Sequence, residues 1–96
     1  MEIIHLTNEK FKELTKEKIL VDFYANWCGP CKMLAPELER VDSNIKVVKV
    51  DVDVFEDLAR EYGVMSIPTL ILFENGQEVK RNIGFMDKDR ISNFIN

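Results

Sequence analysis

The 96-residue chain has two cysteines, Cys28 and Cys31, which lie in the stretch Trp27-Cys28-Gly29-Pro30-Cys31-Lys32. Two thiols spaced three residues apart at the start of a helix lie on the same side of that helix. They can form a disulfide with little movement of the backbone. The ring that such a disulfide closes is short and constrains little of the unfolded chain. The spacing therefore indicates a bond that is made and broken by thiol–disulfide exchange.

The two thiols are predicted to have different roles. The free N–H groups and the dipole of a helix N-terminus stabilise an anion, so they favour the thiolate of Cys28. The thiolate is the attacking species in exchange. Cys31 lies one turn deeper and is expected to be shielded. We therefore assign Cys28 as the attacking thiol and Cys31 as the resolving thiol.

Two other interpretations of the cysteine pair stay open at this point. The thiols could be buried and inert, although their place between a strand and a helix disfavours this. They could also bind zinc, which takes four ligands. His5 is the one histidine in the sequence, so a site within one chain would lack donors, and a zinc site would have to be shared by two chains. We expect no metal and no bound cofactor.

Two elements are predicted to position the cysteines. Residues 19–25 form an apolar, partly β-branched run that is typical of a buried central strand. After Cys31, Leu34, Leu38 and Val41 form the apolar stripe of a helix. Pro30 suits the first turn of that helix. Pro36 falls inside it and predicts a kink, with the start of a separate second helix as the alternative.

The remaining pattern predicts the order β-α-β-α-β-α-β-β-α. Residues 3–6 are expected to form an edge strand, and Thr7 or Asn8 is a candidate cap for the helix that follows. Further strands are predicted at residues 45–52, 69–73 and 78–83, and helices near residues 55–62 and 88–95. Asn75-Gly76 is typical of a tight hairpin turn. The sequence therefore predicts an α/β fold in which a mixed five-stranded sheet is flanked by four helices.

Composition excludes several classes of function. The formal net charge is −4 and there is no basic block, which argues against nucleic acid as a partner. No apolar run approaches the ~20 residues needed to span a bilayer. The first residues lack the pattern of a signal peptide. We expect a single domain over residues 1–96 that is cytoplasmic, monomeric and not bound to a membrane.

Asp22 is an acidic residue within the apolar run of the central strand. Burial would raise its pKa, because the charged form loses solvation. Such a carboxylate could accept the proton of Cys31, through a water, when that thiol attacks the mixed disulfide. The alternative is an aspartate that faces solvent at the end of the strand.

These features together resemble the thioredoxin family. The stretch around the two cysteines is similar to the active-site signature of that family, and Val21-Asp22-Phe23-Tyr24-Ala25 fits the strand before it. Ile67-Pro68-Thr69 is similar to the segment that faces the disulfide, Asn75-Gly76 to the hairpin, and Gly84 to the glycine after the last strand. The resemblance covers nearly the whole chain, in the same order of elements.

The resemblance implies a thioredoxin fold and a protein-disulfide reductase whose dithiol form is restored by a thioredoxin reductase, usually a flavoprotein that draws on NADPH. Disulfides in target proteins would be the substrates, and Gly29 and Pro30 would contribute to the site. Trp27, Ile67, Pro68 and Gly84 would form a shallow groove for the substrate segment. A disulfide oxidant or isomerase on the same fold, and a non-catalytic binding or subunit module, are the alternatives.

The resemblance also implies roles for individual residues. Lys49 matches a lysine that lies near the buried carboxylate and would modulate Asp22, with a lysine whose ammonium extends to solvent as the alternative. Pro68 would follow a cis peptide bond. Trp27 and Gly84 would contact substrate, although Trp27 could also be a core residue and Gly84 only a strand terminator.

Overall fold

The computed structural model describes residues 1–7 and 10–96. This part of the chain contains five strands and four helices in the predicted order. The strands are β1 (Ile3–His5), β2 (Ile19–Tyr24), β3 (Lys46–Asp51), β4 (Thr69–Glu74) and β5 (Gln77–Ile83). The helices are α1 (Phe11–Leu14), α2 (Gly29–Arg40), α3 (Glu56–Glu61) and α4 (Lys88–Ile95).

The strands form one mixed sheet in the order β1-β3-β2-β4-β5. β1 and β2 each run parallel to β3, whereas β4 is antiparallel to both β2 and β5. The prediction that β1 is an edge strand and β2 a central one is confirmed.

The side chains of β2 alternate between two apolar clusters, as the two-residue period of a strand requires. Val21 and Phe23 pack with Phe11 of α1 and Ala59 of α3 on one face of the sheet. Leu20 lies on the other face, which α2 and α4 cover. Asp22 is two residues after Leu20 and therefore points to the α2 face. This placement puts a carboxyl group beneath the helix that carries the cysteines.

α2 continues through Pro36 as one helix. The alternative of a separate helix that starts at Pro36 is therefore wrong. Leu34 and Leu38 of α2 are fully buried against the sheet, as the predicted stripe requires. Their packing fixes the helix over β2 and β3, so the first turn is held at a set place above the end of β2.

The chain reversals also follow the local sequence. Asn75 and Gly76 both have positive φ values, 55° and 80°, which match the hairpin turn that the sequence predicts. Asp87 caps α4 by accepting a hydrogen bond from the backbone N–H of Arg90 at 2.9 Å. The first helix begins only at Phe11. Its N-cap is Lys10, so the predicted cap Thr7 is wrong, and the other candidate, Asn8, lies outside the described residues.

In the part of the chain that the structure describes, no helix has both the length and the apolar character that crossing a membrane requires.

Candidate active site

Cys28 and Cys31 lie at the junction of β2 and α2. Cys28 is the N-cap residue of α2 and has an extended backbone (φ −87°, ψ 113°). Pro30 lies in the first turn, where its missing N–H removes no hydrogen bond from the helix. The two cysteines are joined by a disulfide, and their Cα atoms are 5.2 Å apart. The protein is therefore described in its oxidised form.

The first turn of α2 directs a hydrogen-bond donor at the sulfur of Cys28. The backbone N–H of Cys31 donates to Cys28 Sγ at an N···S distance of 3.2 Å. Both cysteines are buried, with exposed fractions of 5% for Cys28 and 2% for Cys31. A donor at a helix N-terminus is an arrangement that favours an anion on the sulfur it contacts.

Ile67 approaches the disulfide with its backbone, and Pro68 and Gly84 are joined to it by a short chain of contacts. The peptide bond between Ile67 and Pro68 is cis, as the resemblance implied. The carbonyl oxygen of Ile67 lies 3.8 Å from Cys28 Sγ. The backbone N–H of Gly84 donates to the Pro68 carbonyl at 2.8 Å, and Gly84 has a φ of 102°, which favours glycine. These contacts place the Ile67 carbonyl beside Cys28 Sγ and hold Gly84 against Pro68, the next residue along.

Trp27 is largely exposed, with 69% of its surface accessible, so it is not a core residue. Its indole Nε1 donates a hydrogen bond to Asp53 Oδ2 at 2.9 Å. This bond fixes one edge of the ring while its surface stays open to solvent. Sequence reasoning missed Asp53, because no local pattern connects it to a tryptophan 26 residues away.

Asp22 is fully buried, with an exposed fraction of 0%. The Lys49 ammonium lies 3.6 Å from Asp22 Oδ2. Among the described residues, neither carboxylate oxygen of Asp22 has a hydrogen-bond partner. Burial therefore dominates and raises the pKa of Asp22 to about 6, and the nearby Lys49 ammonium partly offsets this rise. The alternative of a solvent-facing aspartate is wrong.

Lys49 does not extend to solvent, and only 10% of its side chain is exposed. Its Nζ lies 4.4 Å from the centroid of the Tyr24 ring, which is a cation–π distance. Sequence reasoning missed this contact of Tyr24. The ring and the Asp22 carboxylate together hold the ammonium at the α2 face of the sheet.

A small cavity of about 130 Å³ separates Lys49 from the cysteines. Tyr24, Lys49, Cys31 and Ala35 are among the residues that line it. Since a water needs about 30 Å³ of liquid volume, the cavity has room for several waters beside polar groups. The cavity therefore lies between Lys49, which contacts Asp22, and Cys31.

Several apolar side chains are exposed in the segments next to the disulfide. Met33 follows Cys31 in α2 and is 61% exposed, whereas Met65, just before the Ile67–Pro68 bond, is 93% exposed. Phe85 follows Gly84 and is 37% exposed. These residues place apolar surface in the segments that flank the disulfide. Phe73, in contrast, is a core residue.

The described residues contain no group of three or more His, Cys, Asp or Glu side chains arranged to hold a metal ion. A dithiol and a disulfide exchange two electrons without a metal or an organic cofactor. The arrangement can therefore perform thiol–disulfide exchange with its own side chains: a sulfur at a helix N-terminus, a second sulfur in reach of it, and a buried carboxyl nearby.

Comparison with known proteins adds a second line of evidence. The thioredoxin family model matches residues 2–96 of this chain. Thioredoxin from Bacillus subtilis is 44% identical over an alignment of 101 positions, which covers 100% of this chain and 97% of that protein. Thioredoxin from Chlamydia caviae is 51% identical over 81 residues, covering 81% of this chain and 79% of that protein.

Two further similarities bear on the fold and on partners. A solved structure of a mutant thioredoxin from Halobacterium salinarum superposes with a TM-score of 0.91 at 37% identity, covering 98% of this chain and 88% of that one. A bifunctional thioredoxin reductase/thioredoxin from Mycobacterium leprae is 51% identical over 78 residues, which cover 77% of this chain and 17% of that protein. The predicted fold class is thereby confirmed.

Proposed function

Because the chain belongs to the thioredoxin family and is a thiol-disulfide oxidoreductase that reduces protein disulfides, we propose that Cys28 is its nucleophile and Cys31 its resolving thiol. The observation that carries this assignment is the Cys31 N–H that donates to Cys28 Sγ at the N-terminus of α2. In the dithiol form this donor favours the thiolate of Cys28 over that of Cys31.

The reaction proceeds in two exchange steps. The Cys28 thiolate attacks one sulfur of a target disulfide, forms a mixed disulfide and releases the other target sulfur as a thiolate. Cys31 then loses its proton and attacks Cys28 Sγ, which releases the second target sulfur. The Cys28–Cys31 disulfide forms, two electrons pass to the target, and the target leaves as a dithiol.

Asp22 accepts the proton of Cys31 in the second step. Its raised pKa, about 6, suits a base that works near neutral pH. The cavity that Cys31 and Lys49 line has room for the water that would carry the proton. Lys49 modulates the step by holding its ammonium 3.6 Å from the carboxylate.

The target segment binds across Trp27, Ile67, Pro68 and Gly84. The open face of Trp27 and the half-buried Ile67 supply apolar contacts beside Cys28. Gly29 and Pro30 are exposed between the cysteines and present no bulky side chain to an approaching target. An extended segment can therefore bring its disulfide to the outer sulfur.

A thioredoxin reductase returns the protein to its dithiol form. The support is the Mycobacterium leprae relative, whose name pairs a thioredoxin reductase with a thioredoxin in one protein. We also propose that residues 1–96 act as one monomeric domain in the cytoplasm, where thiols are kept reduced.

The assignment is tested with insulin as the disulfide substrate and dithiothreitol as the electron donor. The wild-type protein should accelerate reduction, and Cys28→Ser should abolish the acceleration. Cys31→Ser should accumulate a covalent complex through Cys28 that dithiothreitol releases. If Cys28→Ser reduced insulin as fast as the wild type, or if Cys31→Ser trapped no complex, the assignment of the two thiols would be wrong.

A further inference from the structure

The strand register places three titratable side chains in one row on the α2 face of the sheet. His5 of β1 pairs with Lys49 of β3, and Lys49 pairs with Asp22 of β2. Residues paired across neighbouring strands point to the same face, and neighbouring strands lie ~4.8 Å apart. The row therefore runs from His5, which is exposed, through Lys49 to Asp22, which is fully buried.

Two small cavities follow this row beneath α2. One, of about 130 Å³, is lined by Cys31 and Tyr24 as well as by Lys49 and Ala35. The other, of about 150 Å³, is lined by His5, and again by Lys49 and Ala35. The Lys49 side chain is thus shared by the two cavities, with the imidazole on one side of it and the resolving cysteine on the other.

We propose that His5 is a positioning residue for the proton transfer at Asp22, and that its charge acts on the carboxyl group across Lys49. The inference rests on the proposed role of Asp22 as the proton acceptor. A cation at His5 repels the Lys49 ammonium and attracts the Asp22 carboxylate, so it weakens proton binding by Asp22. When the imidazole loses its proton, Asp22 binds a proton more tightly.

Histidine is the residue type suited to this role, because an imidazole ordinarily changes its charge between pH 5 and 8. The other charged groups that border the row are Lys32 and Glu39 of α2 and Asp51 at the end of β3. Burial, helped by Asp51 and Asp22, raises the pKa of Tyr24, so its phenol stays neutral in that pH range.

The expected effect is small but measurable. His5 and Asp22 are two strand spacings apart, which is about 10 Å. Because His5 is exposed, a water-like dielectric applies, and one unit charge at that distance shifts a pKa by about 0.3 units. A shift of that size changes the ratio of charged to neutral Asp22 about twofold at a given pH.

The test is a pH titration of the Asp22 carboxyl carbon by NMR in the oxidised full chain. At low ionic strength, His5→Gln should raise the apparent pKa of Asp22 by up to about 0.3 units. In His5→Lys the apparent pKa of Asp22 should stay below the value in His5→Gln. Lys12→Gln is the matched control. It removes one positive charge from α1, on the opposite face of the sheet, and should leave the titration of Asp22 unchanged.

The pH profile of insulin reduction should move in the same direction as the titration in each His5 variant. The inference is overturned if Asp22 titrates identically in the wild type and in His5→Gln. If the His5→Lys variant does not fold, the comparison of the wild type with His5→Gln is sufficient. Circular dichroism confirms that the compared proteins are folded. This outcome is separate from a failure of the proposed function, which would appear as insulin reduction that does not depend on Cys28.

Discussion

Replacing Asp22 with asparagine should stabilise the oxidised protein at neutral pH. Asp22 is fully buried, and its pKa is raised from 3.8 to about 6. A carboxyl group whose pKa is higher in the folded state than in the unfolded state binds protons more tightly when folded. Its ionisation therefore destabilises the fold as the pH rises from about 4 to about 6. Asparagine has nearly the shape of the protonated carboxyl group and stays neutral, so it removes this destabilisation.

The magnitude follows from the shift in pKa. The difference between 3.8 and about 6 is roughly two units, and each unit corresponds to 1.36 kcal/mol, so full ionisation costs about 3 kcal/mol. The full shift in pKa enters this free energy, because Asp22 is fully buried and solvent does not screen its charge. The Asp22→Asn variant should therefore be more stable than the wild type by about 3 kcal/mol at pH 7, by about half of that at pH 5, and not at all below pH 3.

The measurement is urea unfolding of the oxidised wild type and Asp22→Asn at pH 4, 5, 6, 7 and 8. The free energy of unfolding in the absence of urea is compared at equal m-values. Asp42→Asn, at an exposed aspartate in the connection after α2, serves as the matched control and should change stability by less than about 0.5 kcal/mol. The reasoning is refuted if Asp22→Asn is no more stable than the wild type at pH 7, or if its advantage is the same at pH 4.

Three further predictions concern the neighbouring residues. Lys49→Gln should raise the pKa of Asp22 further above 6, because the ammonium that lowers it is lost; an unchanged NMR titration would contradict this. Trp27→Ala should lower kcat/KM for protein disulfides about tenfold by removing an exposed contact, whereas Val79→Ala, at an exposed valine of β5, should not. Gly84→Ala should lower the free energy of unfolding by about 1 kcal/mol or more, because the φ of 102° strains a residue that has a Cβ. The cost is in the backbone alone, since no atom lies within 4 Å of the added Cβ. Urea unfolding measures the loss, and equal stability would show that the backbone tolerates alanine.

Much of the fold could be predicted because its signals are local. The alternation along β2, the stripe of Leu34 and Leu38, and the Asn75-Gly76 turn each follow from a few adjacent residues. The cysteine pair is equally local, since its spacing alone places the two sulfurs within reach of each other. Asp22 could be recognised as unusual because an acid in an otherwise apolar strand conflicts with its surroundings.

The contacts that could not be predicted depend on which strands become neighbours. The order β1-β3-β2 places Lys49 between His5 and Asp22, and no pattern within any one strand specifies that register. Sequence reasoning consequently left the direction of Lys49 open and assigned His5 no role. The hydrogen bond from Trp27 to Asp53 was missed for the same reason, because it joins two loops at the ends of separate strands.

In the proposed mechanism, the burial of Asp22 has two effects with one physical cause: it weakens the fold and it makes the carboxylate a stronger base. An aspartate in water is too weak a base to take a proton from a thiol efficiently near pH 7, and burial strengthens it by destabilising its charge. The Lys49 ammonium limits that effect, so the carboxyl group still ionises near neutrality. It follows that the more stable Asp22→Asn variant should also release its target more slowly from the mixed disulfide. A variant that gained stability and kept the wild-type rate would separate the two effects and remove the catalytic reason for burying this acid.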